Sequence, residues 1–412
     1  MTKLEKILKY VSEHNEFYKN RIKEYGIKDP LDITQWPVLT RKELQENRYN
    51  MFSDGYKNKY YWQQLIRKTS SGSSGIPVNV YWDYSDYYST VKTLWHRRLL
   101  HYGIRANDKK IYISTNMPIQ DNREMRIKYT TESHNILNVQ MPSGQEDFCQ
   151  ELIQIIYDFQ PVWIYLRPYI LQKLLYYYKV NNRFLPSSVV YIESYGEMLS
   201  SYLQKDASEY FNIPIANMYG SEEINTIAYE CQYHHMHILT DNNYEECYQN
   251  NLFYSNGTCE AIITSLKNKA MPLIRYQQYD DITISNNIAV PCLCGSIDPV
   301  IDVVKGRSLD KIVVDNNTEL NSLLFLEIMG KINNQYNGLI KYYKYQYSES
   351  RQHLQCYLSI DTKNTNWYSS IKTAIETELN KFLLDKNISF QVSLLDKVCL
   401  ISEKHRVFEI VE

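Results

Sequence analysis

Hydrophobic positions recur along this chain at two spacings. Near the start, Leu4, Ile7, Leu8 and Val11 fall at i, i+3, i+4 and i+7, which predicts an amphipathic helix. From Lys109 to Leu266, short β-branched runs alternate with helical patterns, and strands are predicted over 110–114, 162–166, 188–192 and 261–264. Pro168 opens a helix whose apolar face is Ile170, Leu171, Leu174 and Leu175. Strands separated by helices imply a largely parallel sheet covered by helices. After Lys305 the pattern changes: 354–360 alternates cleanly, 367–384 is helical, and 390–394 is another strand. The chain therefore predicts an α/β protein with a large N-terminal domain of mostly parallel sheets and helices, residues 1–305, and a small C-terminal α+β domain, residues 306–412. The boundary falls near Gly306, Arg307, Ser308, Leu309 and Asp310.

Composition narrows the class. The 412 residues are 44% hydrophobic and 22% charged, the balance of an ordinary soluble protein with a sizeable core. A net charge of -2 offers no bulk attraction to nucleic acid or to an anionic membrane. No stretch approaches the roughly 18 apolar residues a membrane span needs, and the N-terminus reads as a helix and not a signal segment. A cytoplasmic protein is the expectation. The 39 tyrosines against 11 phenylalanines lack interleaved arginine clusters, so they read as a compositional bias and not as base-stacking platforms.

The segment Thr69, Ser70, Ser71, Gly72, Ser73, Ser74 and Gly75 packs hydroxyls and glycines directly before Pro77 and the alternating run 78–82. Glycines let backbone N–H groups approach an oxyanion closely, and hydroxyls add donors, so the segment suits phosphate. It is not a Walker loop, because no Lys-Ser/Thr pair follows. A flexible Ser/Gly linker has the same composition. A strand directly after the segment favours the phosphate loop.

Further motifs follow in order: Tyr219-Gly220-Ser221-Glu222-Glu223, then Arg275-Tyr276-Gln277-Gln278-Tyr279-Asp280, then Gly306-Arg307-Ser308-Leu309-Asp310. With Trp36-Pro37-Val38-Leu39-Thr40-Arg41-Lys42-Glu43-Leu44, Trp95, 270–276 and Cys292 to Gly295, this ordered set resembles the AMP-forming adenylation superfamily. The likeness is to its phenylacetate-CoA ligase branch, including related proteins of capsule and exopolysaccharide loci, and it covers nearly the whole chain. The resemblance implies ATP-dependent activation of a small carboxylic acid, aromatic acids among the candidates, through an acyl-adenylate. Transfer to a thiol follows, with coenzyme A as the family default. In that family the loop residues Thr69 to Gly75 would cradle the β- and γ-phosphates, and Glu223 would help bind Mg²⁺, a hard cation suited to carboxylate oxygen. Asp280 would accept the ribose hydroxyls, Gly196, Glu197, Asn217, Met218 and Tyr219 would surround adenine, and Arg307 would join the nucleotide contacts. Lys404, in Ser402-Glu403-Lys404-His405-Arg406, would be the catalytic lysine, and Asp310 the hinge about which a mobile C-terminal domain turns between half-reactions.

Five positions depart from the family pattern: Ile76 replaces a basic residue, Glu222 a Ser or Thr, Gln278-Tyr279 a Thr-Gly, and Glu403 a glycine. A degenerate, non-catalytic nucleotide- or acid-binding protein is therefore a second reading, and a carrier-protein thiol or an amine are alternative acceptors. Whether the chain forms a homodimer is left open by the sequence.

Cys231 precedes His234, His235 and His237, and Cys292 and Cys294 follow about sixty residues later. Thiolate and imidazole suit Zn²⁺, and two short ligand pairs converging from separate loops is how structural zinc sites are built. Cys231, His237, Cys292 and Cys294 are the candidate set, His237 being favoured by the family resemblance. The cysteines outside this cluster show no pairing pattern, so no disulfide framework is expected.

Overall fold

The computed structural model describes residues 1–70, 77–117, 127–142, 148–285, 291–308, 310–315, 318–361, 366–384, 386–395 and 406–411 of the chain. Internal contacts divide the chain into two units, each discontinuous in sequence: Met1–Gly103 with Met218–Val304, and Ile104–Asn217 with Lys305–Glu412. One break, after Val304, lies beside the boundary expected from the sequence; the breaks after Gly103 and after Asn217 have no counterpart in that expectation.

The first unit opens with the helix Lys3–His14, which buries Ile7, Leu8 and Val11 as the spacing predicts. Its start is fixed by a capping box, Thr2 accepting from the Glu5 N–H while Glu5 reaches back to the Thr2 backbone. A second capping box, Thr40 with Glu43, starts the short helix Arg41–Glu46 and so sets where the Arg41 side chain leaves the backbone. The strands Ile66–Thr69 and Asn79–Trp82 pair antiparallel in register Thr69 opposite Asn79, so the Ser/Gly segment is the connection of a hairpin. The long helix Tyr84–Tyr102 follows, begun by Asp83 and ended by Gly103 at φ +69°.

The remaining strands of this unit form an antiparallel array. Asn243–Gln249 pairs with Leu252–Tyr254 and Gly257–Ser265, and Gly257–Ser265 with Tyr276–Ser285. Met236–Ile238 lies between Asn225–Glu230 and Val300–Arg307. The βαβ reading of the whole stretch to Leu266 is thus corrected over its second half: after Asn217 these strand pairs are antiparallel, and short turns such as that between Gln249 and Leu252 admit no other pairing. The core includes Trp36, Leu39, Trp82, Ile263 and Tyr276.

The second unit carries the parallel ladder. Lys110–Met117 pairs in parallel with Ile136–Pro142 and with Trp163–Leu166, which in turn pairs with Tyr191–Tyr195. Helices Cys149–Phe159 and Pro168–Val180 connect these strands, Ser201–Phe211 follows the last of them, and Ile111, Ile164, Leu171 and Ile192 share their core. The same unit holds the smaller α+β domain with its own core, including Phe325, Tyr345, Leu358, Ile375 and Phe408. Its four-stranded sheet runs Ser389–Leu394, His353–Ile360, Ile340–Ser348 and Phe408–Val411, beside helices Ser322–Gln335 and Tyr368–Leu383. Leu354, Cys356, Leu358 and Ile360 point inward and their neighbours do not, as the alternation predicts. Among the described residues, no helix is long and apolar enough to cross a membrane.

Candidate nucleotide and metal sites

Of the predicted phosphate loop, Thr69 and Ser70 are described; Ser71, Gly72, Ser73, Ser74 and Gly75 lie outside the described residues. The Thr69 hydroxyl donates to Asn79 Oδ1 at 2.7 Å across the hairpin. Ser70 is buried, and its Oγ accepts from the Val78 N–H at 2.9 Å and from the Arg41 guanidinium. The other face of that guanidinium meets Glu223: Arg41 Nη1 lies 3.2 Å from Glu223 Oε1, and both side chains are almost fully buried. The Tyr276 hydroxyl donates to the same oxygen at 3.2 Å. The structure therefore gathers Ser70 and Glu223, both expected, around Arg41, which sequence reasoning did not assign. Its signal was a cationic residue directly after the capping residue Thr40, inside an otherwise structural motif. Beside this group, Lys68 Nζ lies 3.7 Å from Glu222 Oε2.

Tyr219 and Asp280 also meet, the phenol donating to Asp280 Oδ2 at 2.7 Å. Gln278 Nε2 donates to Ser221 Oγ at 2.9 Å, tying the two motifs together. Gly220 between them has no room for a side chain, since a Cβ there would stand 2.4 Å from the Asn225 carbonyl oxygen. Tyr279 sits at φ +61°, in the left-handed region that glycine enters freely and a bulky residue does not. Met218 Sδ accepts from Thr226 Oγ1 at 3.6 Å.

Arg275, at the head of the strand bearing these groups, is buried. It donates to Glu246 through Nε (2.9 Å) and Nη2 (2.5 Å) and to the Trp36 carbonyl at 2.8 Å, and its guanidinium lies 3.6 Å from the centre of the Phe253 ring. Burial raises the Glu246 carboxyl, and the Arg275 hydrogen bonds and charge oppose that rise.

The other predicted nucleotide residues belong to the second unit. Gly196 has φ +76°, and Arg167 approaches both it and Glu197, whose Oε1 lies 4.0 Å from Arg167 Nη1. Asn217 lies on the strand Ile215–Ser221. Arg307 offers its carbonyl to the Asp310 N–H at 3.0 Å. Asp310 accepts from Arg406 Nη2 on both carboxylate oxygens, at 3.2 and 2.9 Å. Lys404 lies outside the described residues.

In the first unit, Cys231, His235, His237 and Cys292 place one donor atom each within 4.8 Å of one another. The two sulfurs are 3.9 Å apart, and His235 Nδ1 is 3.0 Å from Cys292 Sγ. Tetrahedral zinc separates such donors by roughly 3.3–3.8 Å, from bond lengths of about 2.0–2.3 Å, so the set fits that ion. Cys294 Sγ is 3.4 Å from His237 Nε2, and the Cys294 N–H points at Cys292 Sγ at 3.5 Å. Three of the four expected ligands thus fall in the tight group, His235 joins it, and Cys294 flanks it. Burial pushes the Cys231 thiol up to about 12. Burial acts the same way on Cys292, but the Cys294 N–H and the imidazoles of His235 and His237 outweigh it and bring that thiol down to about 6.

One expectation is overturned. Cys247 and Cys259 are joined by a disulfide across neighbouring antiparallel strands, with Cα atoms 5.2 Å apart. The register sets Cys247 opposite Ala261, which puts Cys259 two residues away on the same sheet face, a proximity invisible to spacing alone.

No protein-family model matches the chain. Protein CapK of Staphylococcus aureus is 22% identical over 294 residues, 70% of this chain and 63% of that protein, so the match spans less than two thirds of the curated relative. Among solved structures, a 2-hydroxyisobutyryl-CoA ligase in the postadenylation state with 2-HIB-AMP aligns over 100% of this chain and 88% of its own, at 13% identity and TM-score 0.75. The GH3.15 acyl acid amido synthetase aligns over 94% of this chain and 84% of its own, at 11% identity and TM-score 0.55. The chain therefore has the fold of the adenylate-forming ligases.

Proposed function

We propose that this chain activates a carboxylic acid as an acyl-adenylate at the expense of ATP and passes the acyl group to a thiol, coenzyme A by preference. The observation that carries the reading is the meeting of Ser70, Arg41, Tyr276 and Glu223 at the root of the Ser/Gly loop, with the Tyr219–Asp280 pair on the connected strands. A carboxylate is a poor electrophile. It becomes reactive when its oxygen attacks the α-phosphorus of ATP and pyrophosphate leaves, and the site must then hold the charge that builds on the phosphate oxygens. Buried donors that are already oriented do this best, and Arg41 is such a donor, fixed on one side by Glu223 and on the other by Ser70.

Asp280, oriented by the Tyr219 phenol, accepts the two ribose hydroxyls, and it is the family resemblance that assigns Gly196, Glu197, Asn217, Met218 and Tyr219 to the adenine. Arg307 contributes to nucleotide binding. Glu223, whose carboxylate already meets Arg41 and the Tyr276 hydroxyl, would also hold Mg²⁺, a hard cation suited to carboxylate oxygen, and the ion would supply charge neutralisation at the phosphates. Lys404 carries the second cation to the α-phosphate, and the C-terminal domain, residues 306–412, turns about Asp310 to remove it before thioester formation. Zinc at Cys231, His235, His237 and Cys292, with Cys294 alongside, would tie two loops together structurally, since four protein ligands leave no open position.

The branch proposed is that of the phenylacetate-CoA ligases, with a small aromatic acid as substrate and the cytoplasm, where ATP and coenzyme A are abundant, as the working compartment. The likeness to an acyl acid amido synthetase keeps an amine acceptor in play. The deciding experiment is acid-dependent ATP–pyrophosphate exchange over a carboxylic acid panel, followed by acceptor competition among coenzyme A, carrier-protein thiols and amines. Exchange with no acid in the panel, while ATP still binds, would favour the non-catalytic reading.

A further inference from the structure

The strand Ile66–Thr69 alternates, so Ile66, Lys68 and the following Ser70 share one face. Ser70 on that face accepts from Arg41, which is paired to Glu223. Lys68 on the same face is paired to Glu222, the residue next to Glu223 in sequence, at 3.7 Å. Two adjacent carboxylates are thus each matched by a cation, but the two pairs differ in depth. Arg41 and Glu223 are sealed, with side chains 5% and 7% exposed, whereas Lys68 and Glu222 remain 30% and 50% exposed. Lys68 Nζ also lies 5.1 Å from the centre of the Tyr87 ring, a second partner for the ammonium group. Burial works against the charge on Lys68, but Tyr87 and Glu222 outweigh it and raise the ammonium group above its usual range.

An exposed Glu222 beside the loop would repel a polyanion unless a neighbour cancelled it. The structure supplies that neighbour and leaves it open to solvent. Resting on the adenylation reading above, we propose that Lys68, steadied by Glu222 and Tyr87, is the outer cation that engages the β- and γ-phosphates of ATP. Arg41 serves the buried end of the site. Lys68 exchanges a loose partner at 3.7 Å for phosphate oxygens at hydrogen-bond distance, an exchange open to an ammonium on a flexible stem and closed to the doubly anchored guanidinium of Arg41. Lys68 is therefore a discriminator of nucleotide chain length: it acts on ATP and pyrophosphate and leaves AMP untouched.

The test is titration of the purified full chain with ATP, pyrophosphate and AMP, by calorimetry, for the wild type and for Lys68→Met, Lys68→Arg and Glu222→Gln. Lys68→Met keeps most of the length of the side chain and removes the charge. It should weaken ATP and pyrophosphate roughly tenfold to a hundredfold, the range for one charge-assisted hydrogen bond, while AMP affinity stays within about twofold. Lys68→Arg should recover most of the loss, and Glu222→Gln should tighten ATP over wild type. Unchanged ATP affinity in Lys68→Met, or an equal loss for ATP and AMP, overturns the role of Lys68 and leaves the adenylation reading standing. A wild-type chain that binds neither ATP nor AMP overturns both.

Discussion

Replacing Arg275 by Met isolates a buried charge whose consequences can be worked out from the contacts it makes. The guanidinium donates twice to Glu246 and once to the Trp36 carbonyl, and lies over Phe253, all in the interior. Met retains most of the volume and inherits the same left-handed backbone, φ +49°, so neither a large cavity nor a new strain complicates the comparison. What changes is that Glu246 loses its counter-charge while still buried. Breaking a buried pair in this way costs about 3–5 kcal/mol. At roughly 2–4 °C per kcal/mol for a unit of this size, the melting temperature should fall by about 6–20 °C. The loss should depend on pH in a known direction. Burial already lifts the Glu246 carboxyl and Arg275 restrains it, so the variant's carboxyl rises further. An acid whose folded value lies above its unfolded one is destabilising once the unfolded chain ionises and the folded one does not. Relative to wild type, the penalty is therefore smallest below the wild-type carboxyl's own raised value, grows as pH passes it, and levels off above the variant's still higher value. Removing the stranded charge as well, in Arg275→Met with Glu246→Gln, should recover more than half of the loss. The assay is thermal and urea unfolding from pH 4.5 to 8. A single-variant penalty below about 1 kcal/mol, or a double variant no more stable than the single one, would refute the reasoning. Arg275 also fixes the start of the strand Tyr276–Ser285 through the Leu39 N–H to Arg275 carbonyl bond of 2.9 Å. Pyrophosphate exchange should therefore fall with stability in the single variant and return with it in the double.

Glu223→Gln and Asp280→Ala should each lower acid-dependent pyrophosphate exchange by at least ~10²-fold, the scale of one preorganised contact, and wild-type activity in either would remove that residue from the site. The purified chain should hold about one zinc, measured by elemental analysis; Cys292→Ser should lose the metal and lower the melting temperature, and comparing His235→Ala with Cys294→Ser identifies which side chain completes the set. Thiol titration of the denatured, unreduced chain should count two fewer thiols than after reduction, the difference being Cys247 and Cys259; equal counts would remove the disulfide. Lys404→Ala should abolish exchange yet leave thioester formation from a supplied acyl-adenylate largely intact, and the reverse pattern would place the catalytic cation elsewhere.

Features that are local in sequence were legible. The stripe Ile7, Leu8 and Val11, the alternation from Leu354 to Ile360 and the helix opened by Pro168 all rest on spacing within a few residues, and each stands where the pattern puts it. Strand direction was less legible, because a short β-branched run looks alike in parallel and antiparallel sheets. One signal was available: Asn250 and Asn251 adopt φ +53° and +61°, the two-residue turn that asparagine favours in tight hairpins, and such a turn admits only antiparallel neighbours. The side-chain pairs of the site were not legible at all. Arg41 with Glu223, Lys68 with Glu222 and Cys247 with Cys259 are set by register and tertiary packing, about which composition and motif spacing say nothing.

That limit bears on how the motif departures are weighed. A motif compares residue identities, whereas the chemistry depends on geometry and charge. Tyr279 lacks the glycine the family pattern calls for, yet the backbone there keeps a glycine-like φ of +61°, and Asp280 next to it still meets the Tyr219 phenol. A non-glycine residue in the left-handed region costs on the order of 1 kcal/mol or more, and it persists only where the surrounding structure holds it. Glu222 adds a negative charge beside the loop, and Lys68 stands against it. A site drifting free of function has no reason to retain a strained backbone, or to match an added acid with a cation. The strain at Tyr279 and the pairing at Glu222 both favour a working nucleotide site over a degenerate one.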